Sequence, residues 1–231
     1  MGRRYLPKIQ SDVNVGQHLL QLSQLTPPLD FEALISVEGE LEVEVGTGKG
    51  LFLSQASQQW PTRRFLGIEI SPRYARFAAA RLASQQCLNA RVIDGDGVRF
   101  FREFLESGSV RAVHVYFPDP WWKRRHRKRR VMHGAFLKDI ERVLRPDGIL
   151  YFRTDVEEYF RATLRLIEKE TELEGPLPVV DHPEAATNDY RTHFERRMRL
   201  NDLPVYRAEF RRRPARDLER AASQDGEVTA S

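Results

Sequence analysis

Short apolar segments alternate with longer amphipathic segments through the middle of the chain. Strands are predicted at LEVEV from Leu41, RFLGIEI from Arg64, ARVID from Ala90, VRAVHVYF from Val110 and GILYFRT from Gly148. Between and after them apolar residues recur with the helical period, as in VEEYFRATLRLIEKE. Five β/α units with short connections predict an α/β fold, a doubly wound, mostly parallel sheet covered by helices on both faces.

Turn and cap residues mark the joins between these elements. The first strand runs directly into the glycine-rich turn Gly46-Thr47-Gly48-Lys49-Gly50. Ser71 followed by Pro72 is typical of a helix N-cap and a first-turn proline. Gly148, after Pro146 and Asp147, predicts a turn into the fifth strand.

The two ends of the chain lack this alternation. Residues 1–36 are predicted to be a basic arm without a core-facing period and then a short helical lead-in over residues 17–25, which Pro27-Pro28 stops. Residues 37–213 are predicted to form one domain, which closes with a loop over residues 175–189, the helically spaced TNDYRTHFERRMRL and an edge strand, VYRAEFRRR. Residues 214–231 have few apolar side chains and are predicted to be unstructured.

Composition restricts the class of protein. The chain has 231 residues, of which 41% are hydrophobic and 30% charged, and this is typical of one globular domain. Its single cysteine, Cys87, excludes an internal disulfide, and the six histidines show no metal-ligand spacing, so no metal is expected. No apolar run resembles a signal peptide or a membrane span, so we expect a cytoplasmic protein without a membrane partner. Monomer and homodimer both remain open.

Basic residues are concentrated in one segment, FPDPWWKRRHRKRR, from Phe117 to Arg130. Seven of the eight residues 123–130 are Lys or Arg, whereas the net charge is only +4, so the rest of the chain is net acidic. Asp119 lies between two prolines, which restrict its backbone. Basic runs are often merely solvated, but this one follows an apolar strand and a fixed acid, which favours a surface for phosphate chains. The predicted contacts to an RNA backbone are Arg124, Arg125, Arg127, Lys128, Arg129 and Arg130.

Each predicted strand delivers an acid to its carboxyl end. These acids are Glu44, Glu69, Asp96, Asp119 and Asp155. Any one of them could simply cap a helix N-terminus. Together they favour a ligand site, because ligands of such sheets bind beyond the carboxyl ends of the strands, where the strand order reverses.

The glycine turn and the acids indicate the kind of cofactor. Gly46 and Gly48 would let a cofactor approach the backbone, and Glu69 follows at the distance expected of an acid that accepts ribose hydroxyls. The turn reads GxGxG rather than the GxGxxG of dinucleotide sites, and acidic surroundings would repel a pyrophosphate. S-adenosylmethionine has no phosphate and carries a sulfonium and an ammonium group, which carboxylates attract. Asp96 could accept from its adenine amino group.

The chain resembles the bacterial tRNA (guanine-N7)-methyltransferase family. The matching segments are LEVEVGTGKG, FLGIEI, the Asp96-Gly97 step, FPDPWWKRRHRKRR, RTDVEEY and THFE, which together extend from about Leu41 to Arg197. One departure is Arg-Leu-Asn-Asp-Leu-Pro after THFE, where a glycine-containing turn would be expected. The resemblance implies a Rossmann-like class I methyltransferase fold.

The resemblance also implies roles for individual residues. Glu44, Glu69 and Asp96 would bind S-adenosylmethionine, and Asp119 would contact the cofactor and be the catalytic residue. Lys123, Asp155 and an element from Thr192 to Glu195 would contact the tRNA substrate. The implied target is guanine-46 in the tRNA variable loop.

This chemistry is consistent with the residues themselves. Guanine N7 carries a lone pair and no proton, so its alkylation needs no obligatory base. Positioning of the reactants must then supply most of the rate, and a carboxylate such as Asp119 could stabilise the positive charge that develops on the purine. Trp121 and Trp122 could stack on a flipped base, or they could simply pack at the strand end.

Two other classes of protein explain less of the sequence. An NAD(P)-linked oxidoreductase predicts GxGxxG and a catalytic Tyr/Lys pair or His near the switch point, which the sequence does not show. An RNA-binding module without catalytic activity would explain the basic segment but not the ordered acids.

Overall fold

The computed structural model describes residues 6, 13–121, 123–178 and 203–214. Within them, seven strands form one sheet: β1 (Leu19–Gln21), β2 (Leu41–Val45), β3 (Arg64–Glu69), β4 (Ala90–Asp94), β5 (Val110–Tyr116), β6 (Leu144–Thr154) and β7 (Tyr206–Arg211). The helices are α1 (Phe31–Leu34), α2 (Leu51–Gln59), α3 (Pro72–Ser84), α4 (Gly97–Phe104), α5 (Gly134–Val143) and α6 (Glu157–Glu170). Two 3₁₀ helices lie at Leu22–Gln24 and Arg124–Arg129.

The sheet is doubly wound, as predicted. Its strand order is β1-β4-β3-β2-β5-β6-β7, with β7 antiparallel to β6 and every other neighbouring pair parallel. The chain runs outward from β2 through β3 to β4, and then crosses to β5 on the other side of β2. The order therefore reverses between β2 and β5, and the carboxyl ends of these two strands define the edge where a ligand is expected.

Helices bury both faces of the sheet. On one face α4, α5 and α6 pack over the strands, with Phe100, Phe136 and Phe152 fully buried. On the other face α2 and α3 pack through Phe52 and Ala78. Each fully buried phenylalanine contributes about 1.5–3 kcal/mol relative to an exposed one, so the helices hold the strand ends firmly in place.

The N-terminal lead-in differs from the prediction. The sequence QHLLQLSQL forms a short parallel edge strand and one 3₁₀ turn, not an α-helix. Its leucine spacing suits a helix, but the exposed edge of β4 offers backbone partners, and the Val92 amide donates to the His18 carbonyl. Leu6, within the predicted basic arm, is also buried.

Smaller differences occur at two joins. Strand β6 already begins at Leu144, and the predicted turn at residues 146–148 is an irregularity within it, where Asp147 adopts a φ of 61°. Ser71 does occupy the N-cap of α3, but its side chain makes no capping hydrogen bond. The predicted loop beyond residue 178, the THFE segment, the N-terminal arm apart from residues 6, 13 and 14, and the tail after residue 214 lie outside the described residues.

Candidate active site at the switch point

The glycine turn after β2 forms the floor of the site. Gly46, Gly48 and Gly50 have φ values of 79°, 57° and 67°, a region that side chains with a Cβ rarely adopt. A Cβ at Gly46 would meet nothing within 4 Å, and one at Gly48 would meet only the Gly46 carbonyl oxygen at 3.9 Å, so the turn borders open space. At Gly50 a Cβ would lie 2.8 Å from that of Ala78, which fixes the turn against α3.

A second contact from α3 supports the same turn. The Arg81 Nε donates to the Lys49 carbonyl at 2.9 Å, and the guanidinium lies 6.0 Å from the Phe77 ring centroid. Burial lowers the pKa of Arg81 from its ordinary value. Sequence reasoning missed this residue, because nothing in the chain relates position 81 to the turn.

Glu69, at the end of β3, binds the glycine turn through its carboxylate. Its Oε2 accepts from the Gly48 amide at 2.8 Å, and its Oε1 accepts from the Ser71 amide at 2.9 Å. Burial raises the pKa of Glu69, and the charges of Asp119 and Asp94 act in the same direction, whereas the two amide bonds oppose them. Each carboxylate oxygen has a further lone pair, so Glu69 can support the turn and still accept from a ligand hydroxyl.

Glu44 is the most deeply buried acid of the site. The residue is 2% exposed, and its Oε2 has no hydrogen-bond partner among the described residues. Burial raises the pKa of Glu44 well above its ordinary value; the Thr47 hydroxyl opposes this shift and the Glu69 carboxylate adds to it. A buried oxygen without a partner costs stability, which is typical of a residue kept for a ligand rather than for folding.

Glu42, two residues earlier on β2, is surrounded by partners. It accepts from Arg63 at 3.0 Å, and the His114 Nε2 lies 2.9 Å from its second oxygen. Nδ1 of His114 is in turn 2.8 Å from the Tyr116 hydroxyl, and the His114 ring stacks on Tyr151. Burial favours a higher pKa for Glu42, but His114 and the nearby arginines outweigh it and lower the pKa. This acid is therefore structural.

Two acids lie at the carboxyl end of β4, Asp94 as its last residue and Asp96 two residues later. Asp94 is aligned with Glu69 in the parallel ladder, whereas Asp96 caps α4 by accepting from the Val98 amide at 2.9 Å. Asp96 is also exposed, so capping does not preclude a second contact. Ile70, directly after Glu69, is 73% exposed and offers an apolar surface next to these acids. Sequence reasoning missed Asp94 and Ile70, although they are the last residues of the predicted strands ARVID and RFLGIEI.

The loop after β5 carries Asp119. Phe117 and Trp121 flank it with φ values of 49° and 44°, which are unusual for residues other than glycine. Such strained positions cluster at functional sites. Asp119 is exposed and follows β5, the strand that pairs with β2. Burial raises the pKa of Tyr159 to about 12 and also raises that of Glu69, and the charge of Asp119 adds to both shifts.

The basic segment continues from this loop as a 3₁₀ helix over Arg124–Arg129. Its exposed members among the described side chains are Lys123, Arg125, Lys128 and Arg129; those of Arg124 and Arg127 lie outside the description. The Arg129 guanidinium lies 5.1 Å from the Trp121 ring centroid, and His126 packs edge-on against the same ring at 5.9 Å. Trp121 therefore packs within the segment, and its stacking on a flipped base stays a prediction.

Arg130 differs from the other cations of the segment. Only 11% of its side chain is exposed, and its Nε donates to the Pro120 carbonyl at 2.7 Å. The guanidinium lies 4.6 Å from the centroid of the buried Tyr159 ring. In this conformation Arg130 packs against the protein, whereas the prediction has it contacting an RNA backbone.

The remaining predicted residues are only partly described. Asp155 is partly exposed at the end of β6, directly before the N-cap residue of α6. Trp122, Thr192 and Glu195 lie outside the described residues. Within the described part of the chain, no group of three or more His, Cys, Asp or Glu side chains could hold a metal ion. None of the described helices is long and apolar enough to cross a bilayer.

The residues present fit S-adenosylmethionine. The glycine turn borders open space, Glu44 at the end of β2 has a buried oxygen without a partner among the described residues, and Glu69 retains lone pairs for hydroxyl groups. The exposed Ile70 suits the apolar face of an adenine. The acids would attract a sulfonium and an ammonium group and would repel a cofactor that carries phosphate.

Comparison with known proteins decides the family. Residues 38–208 match the model of a family described as "Putative methyltransferase". A tRNA (guanine-N(7)-)-methyltransferase from Rhodopirellula baltica is 42% identical over 219 residues, which cover 92% of this chain and 81% of that protein. The chain belongs to the bacterial tRNA (guanine-N7)-methyltransferase family. A second member, from Myxococcus xanthus, is 35% identical over 188 residues, which cover 81% of this chain and 90% of its own.

Solved structures confirm the class I methyltransferase fold of this family member. The 16S rRNA methyltransferase KamB aligns with a TM-score of 0.56 at 18% identity, covering 80% of this chain and 93% of its own. A methyltransferase dependent on S-adenosylmethionine from Aquifex aeolicus aligns with a TM-score of 0.52 at 14% identity, covering 80% and 90%. At these identities the likeness concerns the fold alone.

Proposed function

We propose that this enzyme methylates N7 of guanine-46 in the variable loop of tRNA. Membership of the family makes the chain a tRNA (guanine-N7)-methyltransferase that uses S-adenosylmethionine. The position in the tRNA and the roles of individual residues are our proposal. A tRNA substrate also accords with the predicted cytoplasmic location.

The observation that carries the proposal is the junction of two opposite surfaces at Asp119. On one side lie buried acids with raised pKa values, Glu44 and Glu69. On the other side begins the 3₁₀ helix Arg124–Arg129, in which Arg125, Lys128 and Arg129 are exposed. A cationic cofactor and a polyanionic substrate would be attracted to different sides and would meet at one carboxylate.

Glu44 and Glu69 would hold S-adenosylmethionine, with Gly46 and Gly48 admitting it close to the backbone and Asp96 beside the adenine. When bound, the cofactor supplies an electrophilic methyl group attached to a sulfonium. Lys123, Asp155 and the exposed cations of the segment would orient the tRNA, together with Thr192 and Glu195. The protein's contribution is then mainly positioning, which can supply up to about 7–11 kcal/mol of barrier reduction.

Asp119 would act as an electrostatic group rather than as a base. Guanine N7 has no proton to remove, and positive charge appears on the purine as the methyl group arrives. A fixed, exposed carboxylate at the meeting point can stabilise that charge and accept from the N1–H and N2 edge of the base. The tight Phe117–Trp121 loop would keep the carboxylate in place before the substrate arrives.

The identity of the reacting atom can be tested with a modified substrate. A tRNA that carries 7-deazaguanine at position 46 lacks the N7 lone pair but keeps its phosphates. We expect it to bind with an affinity close to that of unmodified tRNA, because phosphate contacts dominate affinity, and to accept no methyl group. Methyl incorporation into this tRNA would exclude attack by N7 of guanine-46.

A further inference from the structure

We propose that Arg130 is a positioning residue for Asp119 and not an RNA contact. Its side chain joins the loop that carries Asp119 to the first turn of α6. On the loop side, the Arg130 Nε donates to the Pro120 carbonyl, one residue beyond Asp119. On the helix side, the guanidinium covers the Tyr159 ring, and its Nη2 lies 3.9 Å from Glu158.

The Tyr159 ring that Arg130 covers is buried and held in place. Tyr159 is 1% exposed, and its hydroxyl accepts from the Met132 amide at 3.4 Å. The ring therefore lies fixed beside Arg130, and its hydroxyl also binds the chain two residues after Arg130. A planar guanidinium can stack on a ring and donate a hydrogen bond at its edge simultaneously, whereas a lysine ammonium cannot.

The connection matters because it spans two parts of the proposed site. The Asp119 loop follows β5, while α6 begins two residues after Asp155 at the end of β6. Arg130 thus sets the distance between the proposed catalytic carboxylate and a proposed substrate contact. This inference rests on the function proposed above, because the position of Asp119 affects the rate only if Asp119 is the catalytic group.

Loss of this contact should lower the rate and spare tRNA binding. A displacement of a reacting group by about 1 Å can cost on the order of 10²-fold in rate. We expect Arg130→Met to lower the single-turnover rate at saturating tRNA by about 10- to 100-fold. The tRNA Kd and its salt dependence should stay within about twofold of the unmodified enzyme, because a buried cation releases no counterions.

Three further variants separate positioning from charge. Arg130→Lys keeps the charge but should remain slow, because one ammonium cannot make both contacts. Lys128→Met removes an exposed cation of the same segment and should show the opposite pattern in binding, a weaker tRNA affinity and a reduced salt slope. Arg161→Met, an exposed arginine of α6, serves as the control for the loss of one surface charge.

Hydrogen–deuterium exchange supplies a readout that does not depend on methylation. In the unliganded enzyme, amides of residues 117–130 should exchange faster in Arg130→Met than in Lys128→Met, while amides of β2 and β3 stay protected. If wild-type enzyme failed to methylate tRNA yet exchange changed as expected, the proposed function would fail and the structural part of this inference would stand. Full rate in Arg130→Met, full recovery in Arg130→Lys, or a reduced salt slope in Arg130→Met would overturn it.

Discussion

The proposed active site has two sides of opposite charge, one formed by buried acids and the other by exposed cations. On the cofactor side the acids are buried and their pKa values are raised, with Glu44 holding a carboxylate oxygen that lacks a partner among the described residues. On the proposed RNA side the described cations of the segment 123–130, apart from Arg130, are exposed. A few carboxylates can attract a small cationic ligand, whereas a polyanion needs a broad surface whose counterions it can replace. The contrast explains how an almost neutral chain can attract both.

Substitution of Asp119 tests whether the cofactor side and the RNA side form one active site. Asp119→Asn keeps the shape of the side chain and removes the charge that should stabilise a cationic purine. We expect turnover to fall by about 10²-fold or more, as for other preorganised electrostatic groups, while tRNA affinity changes little. Steady-state and single-turnover methylation, together with a tRNA binding titration, measure the two quantities.

Asp147→Asn is the matched control for that substitution. Asp147 is also exposed, lies in the amino-terminal half of β6, and has a positive φ that asparagine tolerates. We expect it to leave turnover unchanged. An Asp119→Asn enzyme with wild-type turnover would show that this acid only supports the loop between its prolines.

The RNA side can be weakened without touching the cofactor side. Replacing Arg124, Arg125, Arg127 and Arg129 by glutamine should reduce tRNA affinity by at least about tenfold near physiological salt. It should also flatten the salt dependence, since each lost phosphate contact removes about 0.7–0.9 from the log–log slope. Affinity for S-adenosylhomocysteine, measured by calorimetry, should be unaffected.

An equal change of charge elsewhere controls for net charge. The variant that replaces Arg99, Arg102, Arg161 and Arg165, which lie exposed on α4 and α6, should keep the wild-type slope. If the two variants gave the same slope, the segment would be a solvated surface and the main RNA contacts would lie elsewhere, as on the N-terminal arm.

The sequence predicted the sheet and the acidic edge well for a physical reason. Strands β2 to β5 are buried on both faces, so their apolar runs and the glycine and proline residues that end them are strong local signals. The helix predicted over residues 17–25 was wrong. A three-residue edge strand such as β1 has too few positions to show a period, and pairing with β4 overrides the helical spacing of its leucines. The contacts of Arg130 and Arg81 depend on partners 29 and 32 positions away, so no local pattern reports them.

The sequence also could not distinguish Glu44 from Glu42, because the two residues are two positions apart in one strand, LEVEV. Pattern alone marks both as buried acids on one face. Their partners differ: Glu42 faces His114 and Arg63, whereas Glu44 has an oxygen without a partner among the described residues. The pKa of Glu42 is accordingly lowered and that of Glu44 raised.

The same substitution at these two positions should therefore change stability in opposite directions. Glu44 keeps its proton in the folded state above the pH at which the unfolded chain releases it, so its ionisation penalises folding increasingly as pH rises above the ordinary glutamate pKa. Glu44→Gln should raise the free energy of unfolding by about 1 kcal/mol at pH 8, with a gain that vanishes near pH 4. It should also weaken binding of S-adenosylmethionine, because a glutamine cannot ionise next to the cationic cofactor as a glutamate can.

Ionisation of Glu42 affects stability in the opposite direction to ionisation of Glu44. Its lowered pKa gives stability that is present above the ordinary glutamate pKa and lost as pH falls through the folded value. Glu42→Gln should then destabilise the protein at pH 8, by on the order of 1–3 kcal/mol, since it leaves His114 and Arg63 with a weaker acceptor. Urea unfolding of both variants at pH 5 and pH 8 measures the difference. Destabilisation by both substitutions would mean that Glu44 is a structural acid like its neighbour, and the cofactor side would lose its strongest distinguishing feature.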